Sequence, residues 1–283
     1  VQAVPWHLEV FPSEDELRHL LTANRLLSAR YSTSLDAPLG ALSYHIIFSG
    51  STFDISSVSS SERTKVRAGL RSCQVKQIPL DRYARESWEL QADTMSRQGQ
   101  PDRVTEKVWK IACQSAIGLA GFEAWGAEVD GKLGAAILLC TLGDTAVMIY
   151  QQSLRFYFPK KINNALIFEV TKSLASRPGL KKIHYGLHSL DAPPEIDLFK
   201  CRMGYRPYKV RQRVVLSPLV SPLANNFTLN VARVLKRSMP GNSKLGKAEG
   251  MWNFYIQGLK PAAQQSWPEI VSKYGVVPAE KPT

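Results

Sequence analysis

Apolar and polar positions alternate with two periods along this chain, and the change of period divides it into elements. Ser13 with Glu16 has the spacing of a capping box, and Leu17, Leu20, Leu21 and Leu27 follow at helical period, predicting a helix over Ser13–Arg30. SYHIIF (43–48) reads as a strand and FDI (53–55) as a short second one. Ser60 or Ser61 caps a helix carrying Arg63, Lys65, Arg67 and Arg71 around Val66 and Leu70. CQVKQI (73–78) alternates as a strand, and Pro79 opens a helix that closes before Gly99. Asp102 or Thr105 opens another, with Val108, Ile111, Ala112 and Ser115 on one face.

The period then switches to two. GFEAWGAEV, KLGAAILLCTL and TAVMIYQQSL are separated by Asp130-Gly131 and Gly143-Asp144, the dipeptides of tight hairpins, and predict a three-strand meander. The middle run is almost wholly apolar, so both of its faces are expected to be covered. RFYFPKKIN leads into a helix, and KKIHYGLH (181–188) returns as a strand. A strand–helix–strand crossover of this kind favours parallel pairing. EIDLFKCRM is a short helix ended by Gly204, and RPYKVRQRVVLSP (206–218) is a last strand. Beyond it SPLVSPLANN is linker-like, NFTLNVARVLKRSMP is a short amphipathic helix, GNSKLGKAEG reads as a flexible basic loop, and an aromatic-rich segment follows.

Charge adds a direction. The 283 residues contain 36 Lys and Arg against 24 Asp and Glu, a formal net charge of +12, which favours anionic company: nucleic acid, a phosphorylated cofactor or an acidic lipid surface. Lys200, Arg202, Arg206, Lys209, Arg211 and Arg213 form the densest positive run; a phosphate groove and a solvated strand face both account for it. Cys73, Cys113, Cys140 and Cys201 are scattered without a CxxC pair, which points to reduced thiols and no metal site. VQAVPWHLEV shows no signal-peptide pattern, and the missing Met suggests a trimmed N-terminus; the expected location is cytoplasmic, including the inner face of the membrane. No apolar run reaches the length of a membrane span.

The candidate chemistry gathers after the meander. Arg155, Lys160 and Lys161 stand before a helix that opens with Asn163 and Asn164, and helix N-termini suit phosphate. Gln152 and Ser153 end the preceding strand, next to that turn. His184 and His188 share a strand face with Tyr185 between them, and either imidazole could serve as a base near neutrality. Asp191 follows and could orient the imidazole or hold an amine. Arg67 and Arg71 could clamp a substrate carboxylate or phosphate, or simply be solvated.

SERTKVRAGLRSCQVKQI, PKKINNALIFEVTKSLASRPGLKKIHYGL and LFKCRMGYRP, with this order of elements, resemble the FemAB-like branch of the Gcn5-related N-acetyltransferase (GNAT) superfamily, over about Ser59–Pro218. The resemblance implies an α+β fold: a mostly antiparallel mixed sheet with a splayed parallel strand pair, helices on both faces, and a helical C-terminal appendix. It implies segments 1–58 (a partial GNAT-like half), 59–218 (the acyltransferase domain) and 219–283 (the basic tail). It implies transfer of an acyl group from acetyl-CoA or another acyl-CoA to an acceptor amine, with aminoacyl-tRNA as the branch's other donor. The acceptor is then an amine-bearing small molecule, sugar or peptide, and the tail could touch a membrane. A degenerate module holding RNA or another anionic polymer is the non-catalytic alternative. Cofactor contacts fall on Gln152, Ser153, Arg155, Lys160, Lys161, Asn163 and Asn164, substrate contacts on Arg67, Arg71, His184 and Tyr185, and catalytic roles on His188, Lys200, Tyr205 and Asp191. Lys200 stands where acetyltransferases place a Tyr, and RFYFPKKIN has none of the glycines of their R/Q-x-x-G-x-G/A turn.

Overall fold

The computed structural model describes residues 1–100, 103–190, 192–239 and 243–275. In chain order the elements are α1 (Glu14–Ala23), β1 (Ser28–Thr33), β2 (Ala41–Ser49), α2 (Ser60–Ser72), β3 (Gln74–Ile78), α3 (Leu80–Arg97), α4 (Glu106–Gln114), β4 (Phe122–Val129), β5 (Lys132–Leu142) and β6 (Thr145–Ser153). They continue with α5 (Ile162–Ala175), β7 (Lys182–Leu187), α6 (Pro194–Arg202), β8 (Arg206–Leu216), α7 (Asn226–Ser238), α8 (Ser243–Gly258) and α9 (Glu269–Tyr274). The chain forms two compact units, neither contiguous: Val1–Ile46 with Gly186–Leu198 and Arg206–Thr283, and Ile47–Tyr185 with Phe199–Tyr205. They do not follow the sequential segments 1–58, 59–218 and 219–283.

In the second unit the strands run β7-β6-β5-β4-β3. The three meander strands pair antiparallel, turning at Asp130-Gly131 with φ of 51° and 77°, the left-handed pair of a tight hairpin. β6 and β7 pair in parallel, as the crossover requires. α3 and α4 pack on Ala124, Leu133, Ala136 and Leu138, while Ala135, Ile137 and Leu139 are buried on the alternate face, and α5 packs against β4 and β5. The apolar middle strand is therefore covered on both sides. In the first unit β8 lies between β1 and β2, with α8 and α9 packed on β8 and Phe254 in a small core with Ala41, Val214 and Leu216.

Five expectations change. α1 stops at Ala23 because Asn24 caps it and Arg25 turns left-handed at φ 51°, so Leu27 is exposed and Ser28 starts a strand the pattern did not predict. FDI is no strand: Phe53 is a buried plug and Ile55–Ser57 is a 3-10 turn capped by the Asp54 carboxylate. α4 begins at the Thr105 cap and buries Trp109 and Cys113, not Val108 and Ile111. Trp109 wins that face because its indole N–H also reaches Ser87 Oγ at 2.9 Å inside the core; Asp102, the other proposed cap, lies outside the described residues. From Ser243 the expected basic loop is already α8. The cationic run at 206–213 is largely absorbed in structure: Arg211 is buried and donates to the Gly40 carbonyl, Arg213 pairs with Glu14 at 2.5 Å, and Lys209 Nζ lies 4.8 Å over the Trp267 ring.

Candidate functional site

The parallel pairing of β6 and β7 covers three residue pairs and ends at Val147–His184. Immediately beyond, the β5–β6 register steps from Leu139–Met148 to Leu138–Tyr150, so Ile149 is a bulge with no residue opposite it on β5. A bulge bends its strand and increases local twist. β6 thus turns at the point where pairing with β7 stops, and Ile149, Tyr150 and Gln151 are only partly covered. This is the splayed pair the resemblance implies, with its main-chain irregularity at Ile149 instead of near Gln152.

Three side chains occupy this region. Tyr185 is mostly buried, its hydroxyl donates to Gln151 Oε1, and its ring carries Lys200 Nζ 5.3 Å from the centroid. An ammonium over an aromatic face is held by the ring quadrupole. Tyr205 packs its ring 4.9 Å from that of Tyr185 but is fully buried, with its hydroxyl 2.6 Å from Thr171 Oγ1. That enclosure, which also drives its phenol well above the usual range, makes it a packing residue instead of the proton donor its sequence position suggested.

The basic turn is built differently from its expected role. Arg155–Lys160 is a 3-10 turn containing Pro159, and Lys161 adopts φ 55°, ψ 33° to start α5. The Arg155 N–H donates to Asp93 Oδ2 at 2.5 Å, and Asp93 lies 3.5 Å from the Arg97 guanidinium. Arg97 in turn donates to the Ser153 carbonyl at 2.8 Å. The N–H groups of Tyr157 and Lys161 bond to the carbonyls of Leu154 and Phe158. A phosphate cradle needs converging N–H donors and close backbone approach. Here the Tyr157 and Lys161 donors are used internally, Pro159 supplies none, and the Asp93 carboxylate sits at the strand end, so the turn itself offers few converging donors.

Several predicted cofactor contacts are consequently structural. Gln152 is buried between the Tyr83 hydroxyl and Gln91, each at 2.9 Å. Ser153 Oγ accepts from Asn163 Nδ2 at 3.1 Å, and buried Asn164 donates to Glu62 Oε2 at 2.7 Å. The side chains of Arg155 and Lys160 are exposed and that of Lys161 half-buried, which leaves them as surface cations. A groove of about 980 Å³ lies beside them, bounded by α3, the β4–β5 hairpin and the turn, and includes Trp88, Phe156, Glu86, Glu89 and Asp93.

α2 seats the start of α5, and the residue responsible went unnoticed in the sequence. Gly69 faces α5 so closely that a Cβ there would stand 2.6 Å from the Lys161 carbonyl oxygen. Arg67 and Arg71 are each two residues from Gly69, about 160° around the helix. They are exposed and directed away from α5, so neither clamps a group at its start. The second missed residue is Glu62: it is buried, and its carboxylate meets Lys65 at 2.8 Å, Arg202 at 3.7 Å and Asn164. The Ser-Glu pair before a cationic helix was a signal for it.

The two histidines separate. His184 is fully buried opposite Val147 in the sheet, which removes it from any substrate surface. His188 lies in the first unit, stacked on Tyr44 at 4.5 Å and beside Phe254 at 5.2 Å, with Nδ1 3.2 Å from Ser43 Oγ. Burial, with a smaller contribution from the Arg30 charge against the opposing pull of Asp197, lowers its pKa to about 4. At neutral pH it is an uncharged packing ring rather than a base poised to accept a proton. His45, which contacts Ser32 Oγ at 2.8 Å, is lowered to about 3 by burial and by the charges of His7 and Arg30. Asp191 lies outside the described residues.

Both imidazoles are neutral when folded but bind protons near pH 6.5 when unfolded. Their folded pKa values are depressed, so the unfolded state binds more protons below pH 6.5 and stability falls as pH drops toward 4. His188 alone corresponds to a loss on the order of 3 kcal/mol across that window. Urea unfolding at pH 7.5 and 4.5 measures it; equal midpoints contradict the assignment.

Taken together, the bulged strand, the short parallel pairing and the crossover helix give a GNAT-like α+β fold. No family model matches the sequence, and no curated protein matches it. Among solved structures FemX aligns with a TM-score of 0.52 at 12% identity, covering 74% of this chain and 79% of that one. The C-terminal domain (DUF2156) of a putative lysylphosphatidylglycerol synthetase from Agrobacterium fabrum gives 0.49 at 13%, covering 71% and 72%. L-PGS from Bacillus licheniformis gives 0.46 at 13%, covering 72% and 71%. At 12% identity the likeness to FemX is one of fold. Among the described residues no cluster of His, Cys, Asp or Glu could hold a metal ion.

Proposed function

We propose that this chain is a transferase that moves an acyl or aminoacyl group from a tRNA-borne ester to an acceptor amine. The observation that carries the reading is the opening of β6 at the Ile149 bulge beside Gln151, Tyr185 and Lys200. In the step, the neutral amine attacks the ester carbonyl and a C–N bond forms. The C–O bond to the ribose then breaks, and the proton lost by the amine goes to the departing ribose oxygen. Charge develops on the carbonyl oxygen before that bond breaks. Lys200 supplies a fixed positive charge there, and the Tyr185–Gln151 hydrogen bond keeps its aromatic seat in place.

A tRNA donor is preferred to acyl-CoA because of the turn. Asp93 occupies the strand end, whereas the exposed side chains of Arg155 and Lys160 suit the spaced phosphates of a polynucleotide. The deciding experiment pairs binding with turnover. Aminoacyl-tRNA is expected to bind with affinity falling at least about tenfold between 50 and 200 mM salt. Label should pass from it to an amine acceptor, while coenzyme A and acetyl-CoA leave the melting temperature unchanged. A low-micromolar coenzyme A signal would replace the donor assigned here. Binding of RNA with no transfer from any donor would favour the non-catalytic module.

A further inference from the structure

Glu62 stands where a capping residue would stand and does not act as one. Ser59 and Glu62 have the S-x-x-E spacing in which the Glu side chain folds back onto the N-cap N–H. Here the Ser59 side chain makes no cap bond, and the Ser59 N–H donates instead to the Arg202 carbonyl at 2.8 Å. The Glu62 carboxylate turns inward, where the residue is 1% exposed. Asn164, in the first turn of α5, donates to its Oε2 at 2.7 Å. Arg202 Nε, at the end of α6, lies 3.7 Å from Oε1, and the half-exposed Lys65 ammonium meets the same oxygen at 2.8 Å.

Packing alone does not call for this carboxylate. A buried charge loses its hydration, and apolar residues of the same volume often hold an interior together as well or better. What the carboxylate adds is direction: one hydrogen bond to α5 and one ion pair to α6 fix the two helices in a single arrangement. The Arg202 Nε atom is enclosed and makes no hydrogen bond, so the ion pair with Glu62 is what orients this end of the side chain. Lys200 precedes Arg202 by two residues in the same turn, and its carbonyl accepts the Tyr205 N–H at 3.2 Å. Its ammonium stands 5.3 Å from the centroid of the Tyr185 ring, against which Tyr205 packs at 4.9 Å. The last turn of α6 thus carries Arg202 to α2 and Lys200 to β7, and a shift of one displaces the other. All of these residues belong to the second unit. We infer that Glu62 is a positioning residue: by holding Arg202 and Asn164 it sets the last turn of α6 and keeps Lys200 over the Tyr185 ring. The inference rests on the transferase reading only for the reaction that Lys200 serves.

Glu62→Gln keeps the size of the side chain and an acceptor for Asn164 but removes the charge that Arg202 meets. It is expected to slow single-turnover transfer about tenfold, with donor affinity changed far less. In a Lys200→Ala background it should slow transfer no further, because the group it positions is gone. A purely structural loss would lower the rate equally in both backgrounds. Arg202→Met breaks the same pair from its more exposed side and should repeat the pattern, which keeps the test open if the Glu62 variant fails to fold. Placement is read without any donor, by NMR of protein carrying isotope-labelled methyl groups on its lysines. The Lys200 signal, assigned by its loss in Lys200→Arg, should lie upfield in the Tyr185 ring current and move to the position of solvated lysines in both variants. A Lys200 signal that stays upfield in both variants, or that lies with solvated lysines in the wild type, overturns the inference. So does an equal loss of rate with and without Lys200. A signal that moves as expected in a protein that transfers from no donor supports the placement and removes the transferase reading alone.

Discussion

Lys200→Ala is expected to lower the rate constant of acyl transfer by about 10²-fold or more, with donor affinity changed far less. The reason is the place of the charge. Lys200 Nζ stands over the ring of Tyr185, whose hydroxyl bonds Gln151, and in the proposed step a positive charge there serves the transition state more than the ground state. Lys200→Arg keeps a charge but spreads it over a planar group, so partial recovery is expected. Tyr185→Phe removes the bond to Gln151 and should produce a smaller defect in the same parameter. Single-turnover transfer from labelled donor resolves chemistry from binding. A Lys200→Ala protein that transfers at the wild-type rate would remove Lys200 from the step.

Gly69→Val should destabilise the second unit by about 3 kcal/mol, at the upper end of overpacking effects. A Cβ at Gly69 would stand 2.6 Å from the Lys161 carbonyl oxygen and 3.0 Å from Ala165 Cβ. The nearer atom is main chain, so no rotamer change relieves the overlap and α5 must move away from α2. Gly69→Ala is a sharper test of sign. Helix propensity favours Ala by about 1 kcal/mol, yet the overlap should outweigh it and leave a net loss. The shared carbonyl also accepts the N–H groups of Asn164 and Ala165, so displacement loosens the start of α5. Urea unfolding reads both variants; an Ala variant more stable than wild type would show that the helices have room.

Legibility followed the range of the interactions. The capping box at Ser13, the Asp130-Gly131 turn, the meander, the crossover and the Gly204 stop depend on neighbours a few residues away, and each is visible in the chain. The face of α4 was misread because Trp109 and Val108 are equally apolar in sequence, and only Ser87 on α3 decides between them. The cation list fared worst. Lys and Arg mark charge but not destination: Arg97 and Arg211 hold backbone carbonyls, Arg213 pairs with Glu14, and Arg67 and Arg71 point away from α5.

By itself, then, the sequence determined the order of elements, the hairpin positions and the parallel return of β7, because hydrophobic period and turn stereochemistry are local. Tertiary structure alone decided how the basic turn is held. Asp93 lies 62 residues before Arg155, and no periodicity connects them, yet their hydrogen bond places a carboxylate at the turn. It also decided that Tyr205 is buried against Thr171, that His188 is half-buried against Tyr44, and that β6 opens at Ile149. Those outcomes depend on desolvation and on contacts between distant segments, quantities that exist only once the chain has folded.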